Sequence, residues 1–302
     1  MKRRRGALPN LIVIGAARCG TTSLHNYLSQ HPEIWMSANK ELRFFVDRPS
    51  LDGKRPLRSE VDRATIGGMV GRWSRGPEWY RSQFDASFPV RGESSPQYSV
   101  PWFPEVAERM ARVVPDAKLI YLVRDPVERA ISNYRGSVAA GFEPRAANEA
   151  LSAAGGRYAA PSRYAECLEP FLARFPVDRI LILETEELGG PATMARVFGF
   201  LGVDESFRSP WFERRWNPAS LQRGVGWRAL HLLRRTPAWE PIVSRTPARA
   251  RWIVERLTHS LGAPEPGPEL SPEARASLQD DLRDDAARFR ELTGRAFSSW
   301  QV

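Results

Sequence analysis

Leu11-Ile-Val-Ile-Gly15-Ala-Ala-Arg18-Cys-Gly20-Thr21-Thr22 joins a buried strand to a helix through a glycine loop. Leu11–Ile14 is a short unbroken apolar run, bounded by Pro9 and Gly15. Such a run reads as a strand covered on both faces, the habit of parallel sheets. Leu24, Tyr27 and Leu28 then fall on one helical face, so a helix is predicted over 21–29, stopped by His31-Pro32. Between the two, glycines let backbone N–H groups wrap an anion, and the helix N-terminus adds partial positive charge.

The pattern repeats outward. Strands are predicted at Ile34–Met36, Val90–Ser94, Lys118–Val123 and Arg179–Leu183. Helices are predicted at 105–114, from Asp125-Pro126 onward, 164–175, 193–201 and 272–292. Strands alternating with helices give a P-loop-type, doubly wound α/β fold with a mainly parallel sheet. Residues 48–78 and 139–162 lack periodicity and read as loop insertions, the latter a loose stretch on the acceptor side. One domain over 8–302 is expected, with residues 1–7 a basic, disordered tail. Ligands in such sheets sit at the carboxyl ends of strands, where Gly15, Glu93, Arg124 and Glu184 all fall.

The loop departs from the nucleoside-triphosphate version in one respect. That version needs lysine directly after the second glycine. Here Thr21 takes that place and the cation comes earlier, at Arg18. A kinase or hydrolase would lack its phosphate-bridging lysine. A second anion signal is Arg124-Asp125-Pro126-Val-Glu-Arg129-Ala-Ile-Ser132, in which a strand-ending guanidinium is followed two helical turns later by a hydroxyl. Two other readings stand beside it: an ion pair of Arg124 with a carboxylate such as Glu184, or a magnesium site on Asp125.

Taken together, these segments resemble the sulfotransferase superfamily, in particular its heparan-sulfate-like and bacterial branches. The resemblance implies 3′-phosphoadenosine 5′-phosphosulfate (PAPS) as donor, adenosine 3′,5′-bisphosphate as product, and no metal. It places Arg18, Cys19, Gly20, Thr21, Thr22 and Ser23 around the 5′-phosphosulfate, and Arg124 and Ser132 on the 3′-phosphate. The family usually has lysine where Arg18 stands. Arginine keeps the charge but is a poor proton donor. Tyr164 is similar to a tyrosine near the adenine or 3′ side, and Gln222-Arg223-Gly224 to a late loop over the 3′-phosphate.

The histidines are His25, His31, His231 and His259, so the long middle of the chain has none. Cytosolic-type members place their catalytic histidine there. Lys40-Glu41-Leu-Arg43-Phe44-Phe45 resembles the branch in which glutamate is the base, which makes Glu41 the candidate. Glu93, in Gly92-Glu-Ser-Ser-Pro96-Gln-Tyr98, is the reserve; the family often has lysine at the position of Ser94. Arg43, Arg214 and Arg215 are candidates to line an anionic acceptor channel. Cys19 reads as packing, not as a nucleophile.

Composition bounds the rest. The chain has 302 residues, 42% of them hydrophobic, enough for a sizeable core. Lysine occurs at four positions, Lys2, Lys40, Lys54 and Lys118, and all the other basic residues are arginine. The net charge of +9 draws anionic ligands, but no zinc spacing or RNA-binding signature supports nucleic acid. Cys19 and Cys167 cannot build a disulfide framework. No apolar run is long enough for a membrane span, and the cytoplasm is the expected compartment. The acceptor expected from the resemblance is a carbohydrate or a glycosylated or secondary metabolite, sulfated on a hydroxyl or amine. The rivals are a small-molecule kinase and a non-catalytic polyanion-binding protein.

Overall fold

A computed structural model describes residues 6–47, 62, 65, 66, 69, 71–152, 156–213 and 270–302. Five parallel strands form one sheet in the order β2-β3-β1-β4-β5. They are β1 (Leu11–Gly15), β2 (Ile34–Met36), β3 (Val90–Ser94), β4 (Lys118–Val123) and β5 (Ile180–Glu184). The central pair carries the core: Leu11–Ile14 and Leu119–Val123 have no exposed surface. β5 is an edge strand, so only its Leu183 is buried.

The helices are α1 (Thr21–Leu28), α2 (Gly76–Arg81), α3 (Val106–Val113), α4 (Pro126–Ala139), α5 (Ala147–Leu151), α6 (Tyr164–Leu172), α7 (Pro191–Leu201) and α8 (Pro272–Thr293). α4 starts as its sequence dictates: the Asp125 carboxylate accepts from the Glu128 N–H at 2.8 Å, with Pro126 in the first turn. α8 is capped by Ser271, ends at Gly294 in a left-handed conformation, and packs on α4 and α6.

β2 and β3 lie on one side of β1, β4 and β5 on the other. The chain therefore reverses its direction of winding at β1, and the crevice of a doubly wound sheet opens there. Register brings the strand ends level. Val13 pairs with Ser94, Gly15 with Tyr121, and Val123 with Glu184.

The 139–162 stretch is not loose. It includes α5 and a buried charge network. The Glu143 carboxylate accepts from Arg145 at 2.6 Å, Arg157 at 3.0 Å and the Tyr158 hydroxyl at 2.8 Å. Asp62 takes a second bond from Arg145 at 2.6 Å. The pattern was invisible in sequence because its members alternate with small residues and pair only in space.

Glu143 is buried, and burial alone would push its pKa up. The hydrogen bonds from Arg145, Tyr158 and Arg157 outweigh this and hold it at about 2 against an ordinary 4.5. Its folded pKa is thus depressed, so its contribution is present above about pH 4.5 and is lost as pH falls toward 2. Glu143→Gln leaves two buried guanidiniums short of a counter-charge. It should cost about 3–5 kcal/mol in denaturant unfolding at pH 7 and flatten the acid dependence below pH 4.5.

Candidate active site

The loop after β1 is tied from behind. The Ala16 N–H donates to Leu122 O at 2.7 Å. Ala16 O accepts from the Cys19 N–H, and Ala17 O from Arg129 Nε, at 3.2 and 3.1 Å. Thr185 Oγ lies 2.9 Å from Cys19 O and 3.0 Å from Val123 O and shares its single proton between them. These bonds occupy the loop's carbonyls and fix its backbone. The first N–H groups of α1 have no intrahelical partner, and no side chain caps the helix. Gly20 takes φ 81°, which glycine adopts freely. Arg18 takes φ 74°, at a cost on the order of 1–3 kcal/mol for a non-glycine residue.

That strain sends the Arg18 side chain onto α4. Its Nε donates to Ser132 O at 3.2 Å, and its Nη2 lies against Gly136, where an added Cβ would overlap it. Arg124 and Arg129 complete a cationic cluster. Burial first, then the charges of Arg129 and Arg124, bring the Arg18 pKa down to about 10, so it stays protonated at neutral pH. Arg129 is 1% exposed and, among the described residues, donates to Ala17 O, Tyr158 O and the Ser162 hydroxyl. Arg124 Nε is buried without a partner. Among the described residues Arg124 has no carboxylate in ion-pair contact, and Glu184 is bonded by Arg295 at 2.9 Å. The structural ion-pair reading of Arg124 with Glu184 is therefore not the observed arrangement. Three clustered guanidiniums with an orphaned donor fit an anionic group.

Tyr164 is fully buried and links the two anion loops. Its hydroxyl accepts from the Arg124 N–H at 3.4 Å and lies 3.5 Å from Cys19 Sγ. Cys19 is enclosed, burial pushes its thiol pKa up, and its N–H is spent on Ala16 O. It packs, as its neighbours implied. Thr21 and Ser23 are buried, and Thr22 is the half-exposed hydroxyl of the first turn. Arg214, Arg215 and Arg223 lie outside the described residues.

Glu41 and Arg43 sit on a turn with φ 23° and 51°. The Glu41 carboxylate accepts from Arg43 Nη2 at 2.7 Å and Gln97 Nε2 at 3.0 Å, with Lys40 Nζ 3.6 Å away. Its side chain is 35% exposed. Burial pushes its pKa up, but Lys40, Arg43 and Gln97 together hold it well below the usual carboxylate range. Glu93 is different in kind. It has no exposed surface and accepts from the hydroxyls of Tyr80, Ser95 and Tyr98 at 2.6, 2.7 and 2.8 Å. Ser95 Oγ and Tyr98 OH in turn accept from the N–H groups of Arg43 and Phe44, at 3.0 and 2.8 Å. The reserve base is thus an enclosed anchor for the Glu41 turn. Ser94, at the position where lysine was expected, faces His25 Nδ1 at 3.0 Å.

Sequence reading missed Arg129, Gly136, Thr185 and Gln97. Arg129 had a signal, since it stands among Val127, Ala130 and Ile131 on a buried helical face. The others are ordinary residues made functional by what lies across from them.

A family model described as "Sulfotransferase family" matches residues 9–207. The chain is 31% identical over 134 residues to the membrane-associated sulfotransferase kil1 of Dictyostelium discoideum, covering 43% of this chain and 23% of that protein. It is 28% identical over 194 residues to heparan sulfate glucosamine 3-O-sulfotransferase 5 of Mus musculus, covering 60% and 49%. It thus spans less than half the length of these curated relatives. A sulfotransferase from Alicyclobacillus acidocaldarius shares the fold, with TM-score 0.60 and 24% identity over 98% of this chain and 100% of that one.

Gly136→Ala should improve the intrinsic helicity of α4 by about 1 kcal/mol while displacing Arg18. We expect an unchanged or raised denaturation midpoint together with a fall in turnover of roughly tenfold or more, measured side by side with wild type.

Proposed function

We propose, from the premise that this chain belongs to the sulfotransferase family, that it moves a sulfuryl group from PAPS to a carbohydrate-type hydroxyl or amine. The observation that carries this is the cluster of Arg18, Arg124 and Arg129, with the buried Arg124 Nε left without a partner, beside an amide-lined loop. In this reading the loop N–H groups and Arg18 hold the 5′-phosphosulfate. Arg124, with its unpaired Nε, and Ser132 hold the 3′-phosphate. Arg129 acts from behind, adding charge and fixing Ala17.

The chemistry is an in-line displacement at sulfur. The acceptor oxygen or nitrogen attacks, the bond from sulfur to the phosphate oxygen breaks, and the acceptor proton passes to Glu41. Negative charge grows on the leaving phosphate, and Arg18 stabilises it without giving up a proton. Positioning and electrostatics do most of the work, as in phosphoryl transfer. Glu41 is ionised at neutral pH, and an acceptor that draws Arg43 or Lys40 aside raises its basicity. No metal enters this scheme. The heparan-sulfate-modifying relative favours a carbohydrate acceptor. Among the described residues no helix is long and apolar enough to cross a membrane. We place the reaction in the cytoplasm, where the buried Cys19 and Cys167 stay thiols.

Adenosine 3′,5′-bisphosphate should raise the melting temperature of the wild-type chain but not of Arg124→Ala. Stabilisation by ATP with magnesium in its place would reject the donor assignment in favour of a kinase. Glu41→Gln should keep the bisphosphate response and lose roughly 10²–10³-fold in turnover, scored by transfer from labelled PAPS to an oligosaccharide panel. Full activity in that variant would remove Glu41 as base.

A further inference from the structure

The Glu41 carboxylate has one neutral partner, and it comes from far along the chain. Gln97 stands in the 3-10 turn Pro96–Ser99 just after β3. Its Nε2 donates to Glu41 Oε2, the same oxygen that receives Arg43. Its other end is in debt. Gln97 Oε1 is buried and has no hydrogen-bond partner. A buried acceptor left unsatisfied is destabilising, and an apolar side chain of similar volume would avoid that. Stability therefore does not favour glutamine here. Among the described residues, its side chain's hydrogen bond is to Glu41.

We propose that Gln97 is a positioning residue that fixes the plane of the Glu41 carboxylate toward the acceptor. The proposal rests on Glu41 being the base. Two donors on Oε2 define an orientation, whereas Arg43 alone lets the carboxylate swing with a long, half-exposed side chain. A neutral donor suits the place. The charged groups around Glu41 are Lys40 and Arg43 on its own turn, Arg72, whose Nη1 reaches Leu42 O at 3.1 Å, and Arg18 of the phosphate loop. A further cation at 97 would weaken the base, and an anion there would raise its pKa. The enclosed Glu93 anchors the backbone of this turn through Ser95 and Tyr98 and leaves the carboxylate plane to Gln97.

Gln97→Met, Gln97→Glu and Glu41→Gln test this together, with desulfated heparan sulfate as the probe acceptor. For Gln97→Met we expect an equal or higher denaturation midpoint and adenosine 3′,5′-bisphosphate affinity within about twofold of wild type. We also expect kcat lowered about tenfold. For Gln97→Glu the added charge should move the acid limb of kcat upward by roughly one pH unit. Carbon-13 titration of glutamate carboxyls, with the Glu41 signal identified by its loss in Glu41→Gln, needs no acceptor. It should show the same upward shift in Gln97→Glu. A Gln97→Met protein that loses stability in step with activity, or keeps full kcat, overturns the proposal, as does an unmoved Glu41 titration. Full activity in Glu41→Gln sinks the base assignment itself. Loss there with wild-type behaviour of both Gln97 variants sinks only the role of Gln97.

Discussion

Three guanidiniums are held within reach of one another's charge, and the arrangement around the phosphate loop depends on that. Arg18, Arg124 and Arg129 repel one another, and burial makes the repulsion worse. Neutral carbonyls and packing hold two of them in place. Arg18 rests on Ser132 O and Gly136, and Arg129 on Ala17 O and Tyr158 O. An anion entering the crevice relieves a strain that folding has already installed, which is the electrostatic form of preorganisation.

The same economy governs the turn that carries Glu41. A turn with two non-glycine residues at positive φ would relax if left alone. Glu93 prevents that from beneath, its buried carboxylate reaching the turn through two hydroxyl relays. Glu41 is then presented above it, flanked by cations. Two glutamates of one chain thus sit in opposite environments, one among cations and one among hydroxyls. One is 35% exposed at the crevice and the other has no exposed surface.

Much of the fold was legible. β2, β3 and β4 fall on the predicted residues, and β1 and β5 lie within a residue of them, because runs of this length and apolarity have few alternatives inside a parallel sheet. The phosphate loop was legible from its glycines and Arg18. Glu93 was legible as a site element but not in its role, since a sequence does not show which carboxylate is enclosed. The 143–158 charge network was hidden because ion pairs between loops leave no periodicity.

The sequence by itself determined the strand-loop-helix anion site, the missing lysine after Gly20 and the absence of a histidine from the long middle of the chain. These are local facts of residue type and spacing, and they set the chemistry class. Tertiary structure alone decided that Gly136 makes room for Arg18, that Thr185 bonds the loop carbonyl of Cys19, and that Gln97 reaches Glu41. Each depends on contacts between residues 50 or more positions apart, which only the order of strands around β1 brings together.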